Sequence, residues 1–217
     1  MREGFSYTSL CPYSKRIKDN FDLCSIQISD SLIVSSEVSI ASAINLLFLC
    51  NRSISKLAQY GLLCRGYITR GEIHHTQNQI IGKGYIEAYK NEGEYPFPYT
   101  RIDEKLHAFI FESRDACAIE MFKRLTKNID TDIVLSPMQN MVYVSAINGE
   151  KNFEDQKKEI DFIIDELTNL KILAEKYIDH NDEKVEKKWK EYEKMIDEKI
   201  AENVSAKESI DRLSLPF

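Results

Sequence analysis

Hydrophobic and polar positions change their spacing several times along the first 150 residues, which is typical of a domain that mixes strands and helices. Phe21–Ile28 and Leu32–Ser35 are short, apolar and rich in β-branched residues. The Ser29-Asp30-Ser31 segment between them is polar and turn-prone. We therefore predict a tight β-hairpin with Asp30 at its tip.

A longer apolar repeat follows this hairpin. Within Glu37–Tyr60 the apolar residues recur at helical spacing, and Gly61 stands where such a helix would end. The members of this stripe are Ile40, Ala43, Ile44, Leu47, Cys50, Ile54 and Leu57. The pattern predicts an amphipathic helix.

The segment from residue 62 to residue 147 predicts further short elements separated by Gly, Pro and polar residues. The predicted elements are a buried strand at Leu62–Ile68, a turn at Thr69–Gly71, a short return at Glu72–His75, a strand end at Gln79–Gly84, a helix at Tyr85–Asn91, strands near Leu106–Phe111 and Met141–Ile147, and a helix at Asp115–Leu125. Gly93, Pro96 and Pro98 are expected to end the Tyr85–Asn91 helix. The body is therefore predicted to be α+β.

From Asn152 onward the sequence becomes rich in Glu and Lys, with apolar residues at helical spacing on either side of a break at His180-Asn181-Asp182. This pattern predicts an antiparallel helical hairpin that buries Leu167 and Trp189. Such an apolar stripe is more often a core or a dimer contact than a ligand site. We place the domain boundary between residues 1–150, the α+β body, and residues 151–217, the charged helical hairpin.

Composition narrows the possible functions. The chain has 217 residues, of which 43% are hydrophobic, and this is enough to build a buried core. No run approaches the roughly 18 to 20 apolar residues that a membrane span needs, and Met1–Leu10 lacks the apolar run of a signal peptide. We expect a cytoplasmic protein with no membrane span.

Charge and cysteine content exclude two further classes. Residues 151–217 hold 13 Lys and Arg against 18 Asp and Glu, and residues 1–150 hold 16 against 17. Neither part has the clustered basic residues of a nucleic-acid-binding surface, so no nucleic-acid partner is expected. The five cysteines contain no CxxC pair, which argues for reduced, partly buried thiols and against a disulfide framework.

The residues alone indicate little chemistry. Gly82-Lys83-Gly84 lies at a strand–helix joint, where backbone N–H groups can hold a phosphate, but the spacing of a P-loop is absent. His74 and His75 are adjacent, so on a strand they point to opposite faces and cannot chelate one metal ion. Asp30 is either a metal-binding carboxylate or an ordinary turn former.

The order of these features resembles a known family. An Asp-tipped hairpin, a long helix, "LLCRGYITRGEI" and "IIGKGYIEAYKNE" follow one another. This is similar to the catalytic core of class III nucleotidyl cyclases, where a GD-tipped hairpin precedes a helix, a strand like RIGIHTG and a segment GxxVNxAxRxE. Gly82, Ala88 and Glu92 match the last segment. The likeness covers roughly residues 21–100 and is strongest to the pyrimidine cyclases of the Pycsar antiphage system.

This resemblance implies a cyclase-type sheet with flanking helices and conversion of a nucleoside triphosphate to a 3′,5′-cyclic nucleotide and pyrophosphate. Asp30 matches the second metal-binding aspartate of the family, which would hold Mg²⁺ or Mn²⁺. Lys90 stands in place of the transition-state arginine and supplies a point charge instead of a planar fork. Ile86 stands in place of the ribose-orienting asparagine, so that role passes to Glu87 or is unfilled.

The same resemblance places nucleotide contacts on both segments. The expected nucleotide-binding residues are Gln27, Ser29, Ser31, Gly82, Lys83 and Gly84. Purine-specific members carry a lysine four residues before the hairpin aspartate, and this chain has Ile26 there. UTP or CTP is therefore the expected substrate.

One family feature is missing. The first metal-binding aspartate of the family lies on an FxDIxGF strand far upstream of the hairpin, and only 29 residues precede Asp30. Asp22 is too close to the hairpin to take this role. Either the chain begins late or it is a reduced family member. Family sites form between two chains, so the resemblance implies a homodimer, or a heterodimer with a complete cyclase subunit.

Two other functions stay open. The chain can be a non-catalytic cyclase-fold module that binds a nucleotide or a partner protein. It can also be a helical-hairpin interaction protein whose body only resembles the family.

Overall fold

The computed structural model describes residues 23–94, 97–136, 153–178 and 181–213. Short strands alternate with helices up to residue 135, and two long helices follow. The strands are β1 (Cys24–Ile28), β2 (Ser31–Ser35), β3 (Gly66–Ile68), β4 (His74–His75), β5 (Ile80–Ile81), β6 (Thr100–Ile102), β7 (Thr126–Ile129) and β8 (Asp132–Leu135). The helices are α1 (Ile40–Ala58), α2 (Lys83–Gly93), α3 (Glu104–Glu112), α4 (Ala116–Leu125), α5 (Phe153–Tyr177) and α6 (Glu183–Leu213).

Strands β1 and β2 form the predicted hairpin. Cys24 pairs with Ser35 and Ile28 pairs with Ser31, which leaves Ser29 and Asp30 as a two-residue loop. Ser29 has a φ of 57°, in the left-handed region that such tight loops require of at least one residue. The prediction that Asp30 lies at the hairpin tip is confirmed.

Helix α1 is the amphipathic helix that the apolar repeat predicted. The Ser39 hydroxyl caps its first turn by accepting a hydrogen bond from the Ser42 N–H at 3.1 Å. Gly61 follows the helix with a φ of 78°. The buried face of α1, which includes Ile44 and Leu47, packs with α3 and α4 in the main core of the body.

A four-stranded sheet with the order β3-β6-β8-β7 forms the centre of the body. Strands β3 and β6 are parallel, and the β6–β8 and β8–β7 pairs are antiparallel. The β1–β2 and β4–β5 hairpins form two further two-stranded sheets. The body therefore combines helices with small sheets, as the mixed spacing predicted.

The predicted strand near Leu106–Phe111 is wrong, because this segment lies in helix α3. Asp103 caps the helix, and Leu106 and Ile110 are its buried residues, spaced one helical turn apart. A short apolar run fits either a strand or a buried helix segment. The capping aspartate immediately before Glu104 is the local signal that favours the helix.

The bounds of other strands and helices also differ from the predicted ones. Only Gly66–Ile68 of the predicted Leu62–Ile68 strand is a strand, and helix α2 begins at Lys83, inside the predicted Gln79–Gly84 strand end. The sequence reading missed β6 and the β7–β8 hairpin. The predicted strand at Met141–Ile147 and the proposed boundary at residue 150 lie outside the described residues.

Helices α5 and α6 form the predicted antiparallel hairpin. Their antiparallel direction is shown by three ion pairs, in which the residue numbers rise on one helix as they fall on the other: Lys157–Asp211, Asp161–Lys207 and Lys171–Asp197. Trp189 and Leu167 are buried, and they pack in one cluster with Ala58 at the end of α1. The hairpin therefore shares a core with the body.

Two further observations concern the whole described part of the chain. No helix in it combines the length and the apolar character that crossing a membrane requires. The four cysteines that it contains, Cys24, Cys50, Cys64 and Cys117, are half-buried and form no disulfide with one another.

The shared core makes a prediction about stability. Trp189→Ala removes a large side chain that is only 5% exposed, so we expect the free energy of unfolding in urea to fall by about 3 to 5 kcal/mol. Phe162→Ala on α5 is the matched control, because Phe162 is 65% exposed, and it should change the free energy by less than about 1 kcal/mol. Truncation after Gly149 should cause aggregation or a changed oligomeric state on size-exclusion chromatography. Equal effects of the two substitutions would contradict the shared core.

Candidate functional site

The hairpin tip is open to solvent. Asp30, Ser29 and Ser31 are exposed, and the Asp30 side chain forms no hydrogen bond or ion pair with another described residue. Gln27 turns back on the loop, where its Nε2 donates to the carbonyl oxygen of Ser29 at 3.2 Å. Asp30 therefore has a carboxylate available for a ligand.

The glycines at the start of α2 are explained by backbone packing. Gly82 has a φ of 135°, and a Cβ there would lie 2.5 Å from the Glu72 carbonyl oxygen. A Cβ on Gly71 would lie 2.6 Å from the Gly84 Cα. The Gly84 N–H donates to the Glu72 carbonyl at 3.1 Å, so one donor of the helix N-terminus is already used. Phosphate binding by Gly82, Lys83 and Gly84 stays a prediction.

The predicted functional residues Lys83, Glu87 and Lys90 lie along one side of helix α2, at i, i+4 and i+7, but they differ in their contacts. Lys83 and Lys90 are exposed, and their ammonium groups form no ion pair within the described parts of the chain. Glu87 is turned towards α3, where its Oε1 accepts a hydrogen bond from the Lys105 Nζ at 2.5 Å. The structure therefore leaves Lys90 open for a ligand and engages Glu87 in an ion pair.

A polar cluster that the sequence reading missed lies at the carboxyl ends of the parallel strands β3 and β6. Thr69 and Asp103 directly follow these strands, whose last residues pair in register. One carboxylate oxygen of Asp103 accepts the Lys105 N–H at 3.3 Å, and the other accepts the Thr69 hydroxyl at 2.5 Å. Tyr67, in the middle of β3, lies near the Asp103 carboxylate. The sequence signal that could have revealed Asp103 is an acidic residue between a short β-branched run and the start of a helix.

Burial and charge shift the titration of this cluster. Burial and, after it, the nearby Asp103 and Glu87 carboxylates together raise the pKa of Tyr67 to about 12, while Arg101 acts in the opposite direction. The hydrogen bond to Glu87 raises the pKa of Lys105. The cluster thus favours a neutral Tyr67 and a charged Lys105.

The described residues do not complete a metal site. They contain no group of three or more His, Cys, Asp or Glu side chains that could hold an ion. His74 is exposed and His75 half-buried on the two-residue strand β4, as their alternation on a strand predicted. Asp30 offers one carboxylate, so further ligands for Mg²⁺ or Mn²⁺ would have to come from outside the described residues or from a second subunit.

Comparison with known proteins adds no assignment, since no protein-family model, no curated protein and no solved structure matches the chain. The arguments on function therefore depend on the residues and their geometry.

The glycine contact can be tested with a matched pair of substitutions. Gly82→Ala places a Cβ against the Glu72 carbonyl in a backbone conformation open almost only to glycine, so we expect a loss of about 3 kcal/mol in the free energy of unfolding. Gly93→Ala, at the end of the same helix, meets nothing within 4 Å and should leave stability unchanged or raise it by up to about 1 kcal/mol. Similar urea midpoints for both variants would show that the contact does not hold α2.

Tyr67 predicts a pH dependence. Its folded pKa of about 12 exceeds the unfolded value of about 10, so the neutral ring stabilises the fold below pH 10 and this contribution is lost as pH rises towards 12. Between pH 9 and pH 11 we expect Tyr67→Phe to lose less free energy of unfolding than the wild type, by under about 1 kcal/mol because solvent screens this partly exposed ring. Tyr89→Phe, whose side chain is exposed, is the control and should follow the wild type. A wild-type slope in Tyr67→Phe would contradict this assignment.

Proposed function

We propose that the chain is a nucleotidyl cyclase-like subunit that converts UTP or CTP to a 3′,5′-cyclic nucleotide and pyrophosphate in antiphage signalling, at a site completed by a second subunit. The observation that carries the proposal is the open position of its two candidate half-sites. The Asp30 hairpin tip and the Lys83–Lys90 face of α2 both lie on the surface, with their charged groups unpaired among the described residues.

Unpaired surface charges of opposite sign suit different parts of one substrate complex. The ammonium groups of Lys83 and Lys90 lie about two turns apart on α2, and both can reach the phosphates of a bound nucleotide. A cation near the α-phosphate offsets the charge that develops there in the transition state. The Asp30 carboxylate instead requires a cationic or hydrogen-bond-donating partner.

Exposed apolar side chains surround both half-sites. Ile28 and Leu32 flank Asp30 and are 46% and 61% exposed, and Ile86 and Tyr89 lie between the α2 lysines and are 64% and 67% exposed. Large apolar side chains grouped on a surface mark an interaction site. A partner subunit that covers these residues would also exclude water from the charged groups between them, which strengthens their electrostatic effect.

Symmetry decides how many sites such a pair contains. Both half-sites occur once on each chain, so two copies related by a twofold axis would form two equal sites. A complete cyclase subunit would instead form one site with the carboxylates that the described residues lack. The heterodimer is the arrangement that accounts for the single Asp30.

Several catalytic contacts are weak or missing in one chain. Ile86 has no hydrogen-bonding group, Glu87 is already paired with Lys105, and Lys90 lacks the planar fork of arginine. Each lost charge-stabilising contact costs on the order of 2 to 4 kcal/mol, about a hundredfold to a thousandfold in rate. The isolated chain is therefore expected to be weakly active or inactive.

A second candidate function is a non-catalytic module that binds a nucleotide. The Glu87–Lys105 ion pair favours it, because this pair removes the residue that would replace the ribose-orienting asparagine.

The test measures cyclic nucleotide formation by chromatography. The chain alone, and the chain mixed with a pyrimidine cyclase that carries the FxDIxGF strand, are incubated with Mn²⁺ and each ribonucleoside triphosphate. We expect no product from the chain alone, and more product from UTP or CTP in the mixture than from the same amount of the pyrimidine cyclase alone. Asp30→Asn and Lys90→Ala in this chain should each lower the rate that its addition contributes to the mixture by about a hundredfold. Asp165→Asn and Lys194→Ala, at exposed positions of α5 and α6, are the controls and should leave the rate unchanged.

The other outcomes are equally specific. Robust turnover by the isolated chain would overturn the need for a complete cyclase subunit, and turnover of ATP alone would overturn the pyrimidine assignment. Thermal stabilisation by a nucleotide without turnover would select the binding module. If no nucleotide is turned over and none stabilises the chain, both the cyclase and the nucleotide-binding module are excluded.

A further inference from the structure

The attachment of the β1–β2 hairpin to the body is the feature that the proposed function leaves unexplained. Within the described residues the hairpin is a two-stranded sheet that shares no strand pairing with the four-stranded sheet. An isolated two-stranded hairpin is marginally stable in water. The position of the hairpin therefore depends on side-chain contacts with other elements.

One of these contacts joins two segments that are distant in sequence. The Ser35 Oγ at the end of β2 lies 2.7 Å from the Nδ1 of His75 on β4, forty residues later. Both side chains are half-buried. Strand β4 in turn lies next to Glu72, whose carbonyl accepts the Gly84 N–H at the start of α2. The Ser35–His75 hydrogen bond therefore links the hairpin to the segment that holds α2.

The other ring nitrogen of His75 limits the charge that this ring can carry. Its Nε2 is buried and has no hydrogen-bond partner in the described parts of the chain. A neutral imidazole can keep Nε2 unprotonated while Nδ1 bonds to Ser35. An imidazolium carries a proton on both nitrogens, so a buried N–H donor and a positive charge would both be left without a partner, which is unfavourable.

The surroundings offer no compensating charge on the strands that contact His75. Its cross-strand neighbour on β5 is Ile80, and β2 contributes the Ser35 hydroxyl. The other titratable side chains on these two hairpins are His74, which is exposed, Cys24, which pairs with Ser35 across the hairpin, and Asp30, which lies at the tip, at the opposite end of β2 from Ser35. Burial lowers the pKa of His75, in agreement with this geometry.

We propose that His75 is a pH-sensitive anchor of the Asp30 hairpin: the neutral ring holds Ser35, and protonation of the ring loosens the hairpin from the body. This inference does not depend on the proposed function.

The direction of the pH effect follows from the difference between the folded and the unfolded pKa of His75. The folded pKa of His75 lies below the unfolded value of about 6.5, so its contribution to stability is present above pH 6.5. The contribution is lost as pH falls through the unfolded value towards the folded one. Mild acid should therefore open the hairpin before the remaining fold is affected.

Hydrogen exchange of the full chain without nucleotide tests this anchor. Protection of the amides in residues 24–35, corrected for the intrinsic pH dependence of exchange, is measured at about pH 7.5 and about pH 5.5, on either side of the unfolded histidine pKa. In the wild type we expect protection of the hairpin to fall several-fold at the lower pH, while protection of α1 is unchanged. His75→Gln should remove this pH response. Ser35→Ala should lower protection already at the higher pH.

His74→Gln is the matched control, because His74 is the exposed neighbour on the same strand, and it should retain the wild-type response. The anchor is overturned if the wild-type hairpin shows no loss of protection, if the loss persists in His75→Gln, or if α1 loses protection equally. An NMR titration of the His75 ring in the wild type gives a second measurement without substitution. A ring pKa at or above about 6.5 would also overturn the proposal.

Discussion

The carboxylate of Asp103 is the constraint on which the arrangement of the candidate site depends. It lies at the end of β6, is only 8% exposed, caps helix α3 and accepts the Thr69 hydroxyl from the end of β3. Through Lys105, the second residue of α3, the same region reaches Glu87 on α2. One buried carboxylate thereby links the ends of two strands to the start of α3. Lys105 of α3 in turn contacts Glu87 of α2. A buried carboxylate is tolerated only when it is hydrogen-bonded in this way.

The contacts of α2 with the body determine which of its side chains are open to a ligand. Close backbone contact between Gly71 and Gly84 and the Glu87–Lys105 pair fix the rotation of the helix, and this rotation directs Lys83, Lys90 and Tyr89 to solvent. The glycines that resemble a phosphate loop therefore also have a packing role. A glycine required by backbone contact and a glycine required by a ligand look alike in sequence, because both need the absence of Cβ. The contact distances separate these two causes, whereas the spacing of the glycines does not.

The local sequence pattern was sufficient to predict a strand or helix wherever the residues of that element determine its structure. The β1–β2 hairpin, α1, α4 and the α5–α6 hairpin were predictable, since alternation, turn chemistry and helical apolar stripes act over a few neighbouring residues. The segment Leu106–Phe111 was misread because a short apolar run fits a strand and a buried helix equally well. Strand β6 was missed because a three-residue strand depends on its neighbours in the sheet, and these come from distant parts of the chain.

The sequence by itself determined the class of elements, the tip position of Asp30 and the charged helical hairpin. Only the tertiary structure decided which of these residues meet. The Ser35–His75 hydrogen bond, the Thr69–Asp103 hydrogen bond and the Glu87–Lys105 pair each join residues separated by 18 to 40 positions. Contacts over such distances depend on how strands order and helices pack, and these are properties of the whole core, which short-range spacing does not encode.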